Sequence, residues 1–376
     1  MTTLQDLDTP AALVDTRRMQ VNIDRMQQRM NALGVSFRPH VKTSKCLAVV
    51  QRQMAAGARG ITVSTLKEAQ QFFAAGIQDI LYAVGITPGK LPQVLALRRQ
   101  GCDLKIVTDS LAAAQAIAAY GSDQRQALEV WIEVDIDGQR SGVPPEGDAL
   151  LAVAHALHHG GMHLGGVMAH TGSSYGFDDP AALQAIAEQE RRGTVRAADR
   201  LREAGLPCPV VSVGSTPTAL SAQALQGVTE VRAGVYVFFD LVMHNVGVCQ
   251  TQDLALSVLT TVIGHQEEKA WAITDAGWMA MSRDRGTQLQ KQDFGYGLVC
   301  TENGEPLADC AFESANQEHG ILQGTPGGEN IASRFPIGTR LRIFPNHACA
   351  TAAQHPRYQA VSPSGEIETW PRFYGW

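Results

Sequence analysis

The chain alternates short β-rich runs with helical stretches, and this alternation constrains its fold more than any other feature. Between residues 36 and 240, each β-rich run is followed by an Ala-, Leu- and Gln-rich segment with helical periodicity. Eight such units in about 200 residues predict a (β/α)8 barrel, although a doubly wound sheet stays open because strand count alone does not prove closure. The predicted strands are 36–41, 60–64, 79–83, 103–107, 129–134, 164–169, 210–214 and 230–234.

The pattern changes after the predicted barrel, where strands alternate with Gly- and Pro-rich turns and little helix. This pattern favours a separate, mainly β domain, and the early run 11–15 is a candidate strand of that domain. We therefore expect a barrel at 17–240 and a β-rich domain made of 1–16 plus 241–376. The predicted strands of the β domain are 255–263, 270–274, 298–301 and 339–344, with a loop at 324–330.

Composition narrows the possible functions. A chain of 376 residues is long enough for a barrel and a second domain. Its net charge of -6 provides no basic surface for nucleic acid, and no apolar run approaches the roughly 20 residues of a membrane span. The N-terminus lacks the pattern of a signal peptide. Seven scattered cysteines favour free thiols in a reducing cytoplasm over a disulfide framework.

Lys42 is the first candidate for chemistry, because it lies at the end of the first predicted barrel strand. If the strand alternates, Arg38, His40 and Lys42 share one face, and packing does not readily explain a cationic face on such a strand. A lysine at this end of a barrel strand is suited to form a Schiff base. The structural alternative is a solvated lysine. Lys45 competes for the role, but we expect it to be exposed in the first turn of the next helix.

Two later strand ends carry groups that suit a phosphate. Gly214, Ser215 and Thr216 follow an apolar strand, where a glycine lets the backbone approach a ligand and the N–H groups of the next helix face an anion. Gly234 and Tyr236 follow the next strand and add an N–H group and a hydroxyl. Late βα loops of barrels often bind phosphate. The structural alternative is a Ser/Thr helix N-cap before a proline.

Polar side chains also follow two middle strands. Arg140 lies in a Gly-flanked loop, and His170 and Tyr175 come just beyond the next strand. A histidine in such a place is more often a hydrogen-bonded structural residue than a catalyst. In a cofactor pocket, however, its flat ring can stack on a heteroaromatic group.

His347 and Cys349 form a candidate metal pair. Residues two apart on a strand or turn point the same way, so an imidazole and a thiolate can share one cation. The pair suits Zn²⁺ best, with Mn²⁺, Co²⁺ and Mg²⁺ as alternatives, and it leaves positions open for a substrate. The structural alternative is a buried cysteine beside a surface histidine. Earlier in the chain, Arg283 and Arg285 are either surface charges or an anchor for a substrate carboxylate.

Together these motifs resemble the fold-type III pyridoxal phosphate (PLP) enzymes, the alanine racemase-like group, and in particular their D-serine dehydratase and D-threonine aldolase branch. The resemblance covers nearly the whole chain, although Ser44 departs from the branch's common Lys-Thr-His-Lys. It implies that Lys42 is the Schiff-base residue, that a divalent metal binds His347 and Cys349, and that the protein is a homodimer. The residues implied to contact PLP are Lys42, His40, Arg140, His170, Tyr175, Gly214, Ser215, Thr216, Gly234 and Tyr236.

The resemblance implies a metal-assisted β-elimination from a D-3-hydroxy amino acid. PLP would take up charge when the Lys42 amine removes the Cα proton, and the metal would polarise the departing hydroxyl. The products are ammonia and a 2-oxo acid, which is oxaloacetate for 3-hydroxyaspartate and pyruvate for D-serine. Cys349 favours dehydration, because the aldolases of the branch carry His-x-Asp. Retro-aldol cleavage, as by a D-threonine aldolase, stays open, as do an amino-acid racemase, a non-catalytic PLP carrier and a metal-dependent barrel lyase without PLP.

Overall fold

The computed structural model describes residues 3–324 and 330–376 of the chain. Residues 325–329 of the predicted loop at 324–330 therefore lie outside the described residues. The chain divides into two units, a barrel unit and a β unit. The barrel unit is Asp24–Gly234 with Phe373–Trp376, and the β unit is Met1–Ile23 with Val235–Arg372. The domain ranges drawn from the sequence stay a prediction.

The helices and strands follow each other along the chain in the order that the sequence periodicity predicts for the barrel. The strands are β1 (Ala11–Asp15), β2 (Ser36–Pro39), β3 (Ile61–Val63), β4 (Asp79–Gly85), β5 (Asp103–Thr108), β6 (Glu129–Val134), β7 (His163–Ala169), β8 (Val210–Val213), β9 (Glu230–Ala233), β10 (Leu256–Gln266), β11 (Trp271–Thr274), β12 (Leu298–Thr301), β13 (Pro306–Ala315), β14 (Gly320–Gly324), β15 (Arg340–Phe344), β16 (Arg357–Val361) and β17 (Ile367–Pro371). The α-helices are α1 (Thr16–Ala32), α2 (Leu47–Ala55), α3 (Leu66–Ala74), α4 (Leu91–Arg99), α5 (Leu111–Asp123), α6 (Asp148–His159), α7 (Pro180–Glu203), α8 (Thr216–Ser221), α9 (Leu241–Val246), α10 (Trp278–Met281), α11 (Ile331–Arg334) and α12 (Ala348–Ala352). Within the described residues, no helix combines the length and the apolar character that crossing a membrane requires.

The barrel unit is built on a parallel sheet of eight strands, in the order β2-β9-β8-β7-β6-β5-β4-β3. All eight strands predicted from the sequence are present, and their largely buried patterns are those of strands covered by helices. The two ends of the sheet meet through a single bridge between His40 and Thr62, where the Val41 N–H also donates to the Thr62 carbonyl at 2.9 Å. The sheet is therefore a nearly closed barrel, and the predicted fold class is confirmed.

Arg38 on β2 is buried among carboxylates. Its guanidinium contacts Glu230 of β9 at 2.7 Å and binds both oxygens of Asp79 at 2.7 and 3.0 Å. Lys105 of β5 also contacts Asp79, at 2.5 Å. A buried cation is retained only when it is paired and hydrogen-bonded, as Arg38 is. Ion pairing across strands thus explains part of the cationic face that the sequence analysis left without a packing reason.

The β unit contains a sheet in the order β11-β14-β13-β12-β15-β10-β1-β16-β17, with a further pairing between β10 and β11. The first strand of the chain lies inside this sheet, because β1 pairs antiparallel with β10 and parallel with β16. The expectation that the run 11–15 joins the β domain is therefore confirmed. Aliphatic and aromatic side chains such as Val258, Phe312 and Ile343 form its buried core.

Candidate functional site

Lys42 lies in a turn just beyond β2. The strand ends at Pro39, before the predicted end at residue 41, and residues 41–44 turn away from it. The Lys42 side chain is exposed, and its backbone N–H lies 3.4 Å from Nδ1 of His40. Lys42 therefore occupies the carboxyl end of a barrel strand, where barrel enzymes place their catalytic groups.

Lys45 is held by an ion pair, so the expectation that it lies exposed in a helix turn is wrong. Its Nζ is 2.9 Å from Oε1 of Glu68, whose side chain is only 2% exposed. Helix α2 begins at Leu47, two residues after Lys45. A buried carboxylate needs a partner cation, and Lys45 supplies it. This engagement favours Lys42 over Lys45 as the nucleophilic amine.

Two histidines at the strand ends are kept neutral by their surroundings. Burial is the main cause that lowers the pKa of His40 well below its ordinary value, and the positive charges of Lys42 and Arg232 add to it. Burial and the charges of Arg140, Arg232 and Lys42 likewise lower the pKa of His170 to about 3. Three cations, Lys42, Arg140 and Arg232, therefore lie near the two half-buried rings. Such a group of cations favours an anionic ligand at this end of the barrel.

His170 is oriented by the backbone at the end of β8. Its Nδ1 lies 3.0 Å from the Gly214 carbonyl oxygen. Because that oxygen only accepts and the ring is neutral, Nδ1 carries the proton and Nε2 keeps its lone pair. The ring centroid is 6.2 Å from that of Tyr175, which lies in a short 3-10 helix, Gly172–Gly176. The structure thus brings His170, Tyr175 and the Gly214 turn together.

The turn between β8 and α8 requires a glycine and is closed by a helix cap. Gly214 has a left-handed φ of +125°, and an added Cβ would lie 2.3 Å from the Arg232 carbonyl oxygen. The Ser215 hydroxyl accepts from the Thr218 N–H at 3.2 Å, while the Thr218 hydroxyl accepts from the Ser215 N–H at 3.0 Å. The helix N-cap that the sequence predicts as the structural alternative is therefore present. The phosphate contacts of Ser215 and the buried Thr216 stay predictions.

Gly234 lies beside the Lys42 turn, whereas Tyr236 falls in the other unit. An added Cβ on Gly234 would lie 3.1 Å from the His40 carbonyl oxygen and 3.1 Å from Oγ1 of Thr43, so only a glycine fits without displacement. Tyr236 is fully buried in the 3-10 helix Val235–Val237 of the β unit. Arg140 is half exposed, 3.8 Å from the buried Glu133. The cofactor contacts assigned to these residues stay predictions.

Replacing Gly214 with alanine is expected to destabilise the barrel unit. The left-handed φ costs about 1–3 kcal/mol for a residue with a Cβ, and the clash with the Arg232 carbonyl adds to this cost. Denaturant unfolding of the variant measures the loss. Gly101→Ala is the matched control, because Gly101 has a φ of +98° with nothing within 4 Å of an added Cβ. A Gly214→Ala variant no less stable than this control would contradict the close approach.

The depressed pKa of His170 predicts a loss of stability in acid. The native ring stays neutral down to about pH 3, while the unfolded ring, with a pKa near 6.5, takes up a proton. Stability is therefore fully present above pH 6.5 and falls as the pH drops towards 3, by about 1.4 kcal/mol per unit for one proton. His170→Asn should reduce the slope of the unfolding free energy against pH over this range, leaving the part that comes from His40. The exposed His163→Asn is the control and should keep the full wild-type slope.

The β unit carries the second group of candidate residues, around His347. Nδ1 of His347 lies 2.6 Å from Oδ2 of Asp284, and the Cys349 side chain is a hydrogen-bond partner of the ring. Burial alone would lower the pKa of His347, but Cys349, Asp284 and Asp240 raise it to about 11. An imidazole and a thiol thus converge as the sequence spacing predicts. Since Asp284 takes Nδ1, Nε2 is the nitrogen left for a cation.

Two carboxylates that order this segment were missed in the sequence analysis. The buried Asp240 accepts from the Ala348 N–H at 2.9 Å and from the Met243 N–H at 3.0 Å, as the N-cap of α9. Asp284 reaches His347 from 63 positions earlier in the chain. An Asp before an apolar helix predicts the cap, but no spacing predicts the second contact.

Among residues 3–324 and 330–376, no group of three or more His, Cys, Asp or Glu side chains could hold a metal ion.

Comparison with known protein families shows to which family a chain with this fold and these two groups of residues belongs. Residues 14–242 match the model of the alanine racemase N-terminal domain, and residues 255–361 match that of a putative serine dehydratase domain. The chain belongs to the alanine racemase N-terminal domain family. The resemblance drawn from the sequence motifs is therefore confirmed.

Several known proteins are similar to this chain over nearly its full length. The chain is 66% identical to the D-threo-3-hydroxyaspartate dehydratase of Delftia sp. (strain HT23), covering 100% of this chain and 99% of the relative. It is 29% identical to the D-serine dehydratase of Dictyostelium discoideum, covering 97% of this chain and 96% of the relative. A solved structure of a cysteine-to-alanine mutant of D-threo-3-hydroxyaspartate dehydratase, in the metal-free form, superposes with a TM-score of 0.99 at 65% identity over 100% of both chains.

Proposed function

We propose that this protein is a PLP- and divalent-metal-dependent dehydratase that converts D-threo-3-hydroxyaspartate to oxaloacetate and ammonia. The observation that carries the proposal is the 66% identity over the full chain to a D-threo-3-hydroxyaspartate dehydratase. D-Serine, which would give pyruvate, is a second substrate, because D-serine dehydratases are also full-length relatives. Lys42 in the barrel unit and the pair His347 and Cys349 in the β unit are the residues proposed to serve the two cofactors.

The strand ends of the barrel unit fit PLP. The cations Lys42, Arg140 and Arg232 give the positive potential that a phosphate requires. Gly214 and Gly234 keep the backbone free of Cβ atoms beside these cations. The buried Ser173 hydroxyl, near Tyr175 in sequence, has no hydrogen-bond partner in the part of the chain described. We propose that His40, His170, Tyr175, Ser215, Thr216 and Tyr236 complete the cofactor contacts.

The donor set of the β unit fits a divalent metal. His347 offers Nε2 and Cys349 offers a half-buried sulfur, and an imidazole with a cysteine sulfur suits Zn²⁺ best among common ions. Asp284 fixes the ring in the way that a carboxylate orients a metal-binding histidine. The metal-free mutant structure of a dehydratase relative indicates that such an enzyme uses a metal.

The chain's own residues then have distinct tasks. When bound, PLP withdraws electrons from the substrate Cα and the metal polarises the β-hydroxyl as a Lewis acid. The Lys42 amine would hold the cofactor and would take the Cα proton. His170 stays neutral in this environment, so its ring can lie against a planar cofactor without adding a positive charge.

Arg283 is the better candidate for the anchor of the second substrate carboxylate. Arg285 is engaged within the β unit, because it contacts Asp293 at 2.7 Å and the Gly295 carbonyl at 3.2 Å. Arg283 is exposed, lies over the Trp278 ring at 5.3 Å and precedes Asp284 in the chain. We propose that Arg283 favours hydroxyaspartate over serine, which lacks that carboxylate.

The proposal is tested by purifying the protein and assaying it with a panel of D-3-hydroxy amino acids. A visible absorbance band reports PLP, keto-acid release reports dehydration, and aldehyde release reports retro-aldol cleavage. Oxaloacetate from D-threo-3-hydroxyaspartate, abolished by a chelator, is the expected result. Glycine and an aldehyde as the main products would instead favour an aldolase. The chain is 28% identical to one such enzyme, the D-threonine aldolase of Arthrobacter sp..

We further propose a cytoplasmic homodimer. All seven cysteines are free thiols, which suits a reducing compartment. Enzymes of the resembled fold type form their active sites at dimer interfaces, which supports a dimer here. Light scattering coupled to gel filtration measures the mass, and a monomer with full activity would contradict this proposal.

A further inference from the structure

We propose that Lys45 is a positioning residue that fixes the turn carrying Lys42, through a clasp formed by Lys45, Glu68 and Phe373. This inference rests on the proposed role of Lys42, and it assigns a task to the second lysine of the segment. All members of the clasp belong to the barrel unit.

The first observation is the backbone of Lys45 itself. Its φ is +45°, a left-handed conformation that residues with a Cβ rarely adopt. The Lys45 N–H donates to the Val41 carbonyl at 2.8 Å, so this conformation closes the turn that contains Lys42. Left-handed backbone at a non-glycine residue persists only where its surroundings enforce it. The contacts that enforce it should therefore also hold Lys42.

The second observation is that one face of α3 receives the Lys45 side chain. Glu68, at the third position of the helix, contacts Nζ of Lys45 at 2.9 Å through Oε1. Its other oxygen accepts from the Ser64 N–H at 3.0 Å, so the carboxylate is fixed from both sides. With the Lys45 side chain 20% exposed and Glu68 2% exposed, this pair is shielded from water and from salt.

The third observation is that Phe373 holds the same residue from its backbone. The Phe373 N–H donates to the Lys45 carbonyl at 2.6 Å. Its ring packs edge-on against Phe72 with centroids 4.9 Å apart, and Phe72 lies one helical turn after Glu68 on α3. Lys45 is thus held at its N–H, its carbonyl and its ammonium group. A turn held at three points keeps the amine of Lys42 in one place when the cofactor is bound or released.

The test replaces the ion pair without changing its shape. Lys45→Met keeps the apolar stem and removes the charge, and the double variant Lys45→Met with Glu68→Gln removes both charges, so that no unpaired carboxylate threatens folding. In both we expect amide hydrogen exchange of residues 41–46 to speed up and PLP to dissociate about 10-fold more readily. Lys45→Arg, which keeps the cation, should restore both values to near those of the wild type. Arg196→Met breaks the exposed pair with Glu146 and is the control that should change neither.

The outcomes distinguish a positioning role of Lys45 from a purely stabilising one. They also distinguish a failure of this inference from a failure of the proposed function. A purely structural role would lower the unfolding temperature while leaving PLP affinity, kcat and exchange at 41–46 unchanged in the folded variants, and that result would overturn the inference. Exchange is measured on cofactor-free protein, so it tests the clasp whatever Lys42 does. Borohydride reduction of the wild type followed by peptide mass analysis tests the proposed function, which fails if PLP is not fixed to Lys42.

Discussion

Lys42→Ala is expected to remove the visible absorbance band of protein-bound PLP and nearly all turnover. The variant loses the amine that holds the cofactor and the base that takes the Cα proton, and loss of a positioned base alone costs about 10²–10⁴-fold in rate. Lys42 is exposed in a turn after β2, so the substitution leaves the barrel core intact. Absorbance spectra and keto-acid release measure the two effects.

The control for this variant is Lys67→Ala, which removes an exposed lysine of α3 and should leave spectrum and turnover unchanged. Circular dichroism must show that Lys42→Ala is folded. A folded Lys42→Ala protein with the wild-type visible band would refute the assignment and direct attention to another amine of the barrel unit.

Removal of the metal pair is expected to abolish β-elimination while PLP stays bound. His347→Ala and Cys349→Ala each remove one of the two donors that the β unit brings together. A Lewis acid contributes several kcal/mol to the departure of a poor leaving group, so turnover should fall by about 10³-fold or more. Asp284→Asn should weaken metal binding by about 10- to 100-fold, because it alters the partner of the His347 ring. Metal content, visible spectrum and keto-acid release are measured together.

Cys310→Ala is the matched control, because it deletes a thiol that is buried in the core of the same unit. This variant should keep its metal and its activity. Full dehydration by a metal-free Cys349→Ala protein would remove the metal from the proposed function and favour a racemase-like chemistry at Lys42 alone.

The barrel could be predicted from the sequence, whereas four of the nine strands of the sheet in the β unit could not. Barrel strands are covered on both faces and therefore appear as apolar runs between helical segments, so all eight were found. Strands β13, β14, β16 and β17 were missed. Their buried positions are interspersed with exposed and half-buried ones, as in Pro306–Ala315, and β17 has one buried residue, Trp370. Short half-exposed strands resemble loops in composition.

The candidate site shows the same limit. The spacing of His347 and Cys349 is local, and the structure brings the two side chains together as that spacing predicts. Asp284 and Glu68 escaped notice because their partners, His347 and Lys45, lie far away in sequence and meet them only through tertiary folding. The structure also changed the interpretation of Lys45, from an exposed competitor of Lys42 to a residue paired with the buried Glu68.

The place of β1 between β10 and β16 has a consequence for how the protein is made. The β unit takes its first strand from the start of the chain and the others from residues beyond 255. On the ribosome, the strands β2–β9 emerge before β1 has any partner, because the strands that pair with β1 come later in the chain. Domains generally fold as units during synthesis. The unit that carries His347 and Cys349 therefore completes only after all eight strands of the barrel have been made.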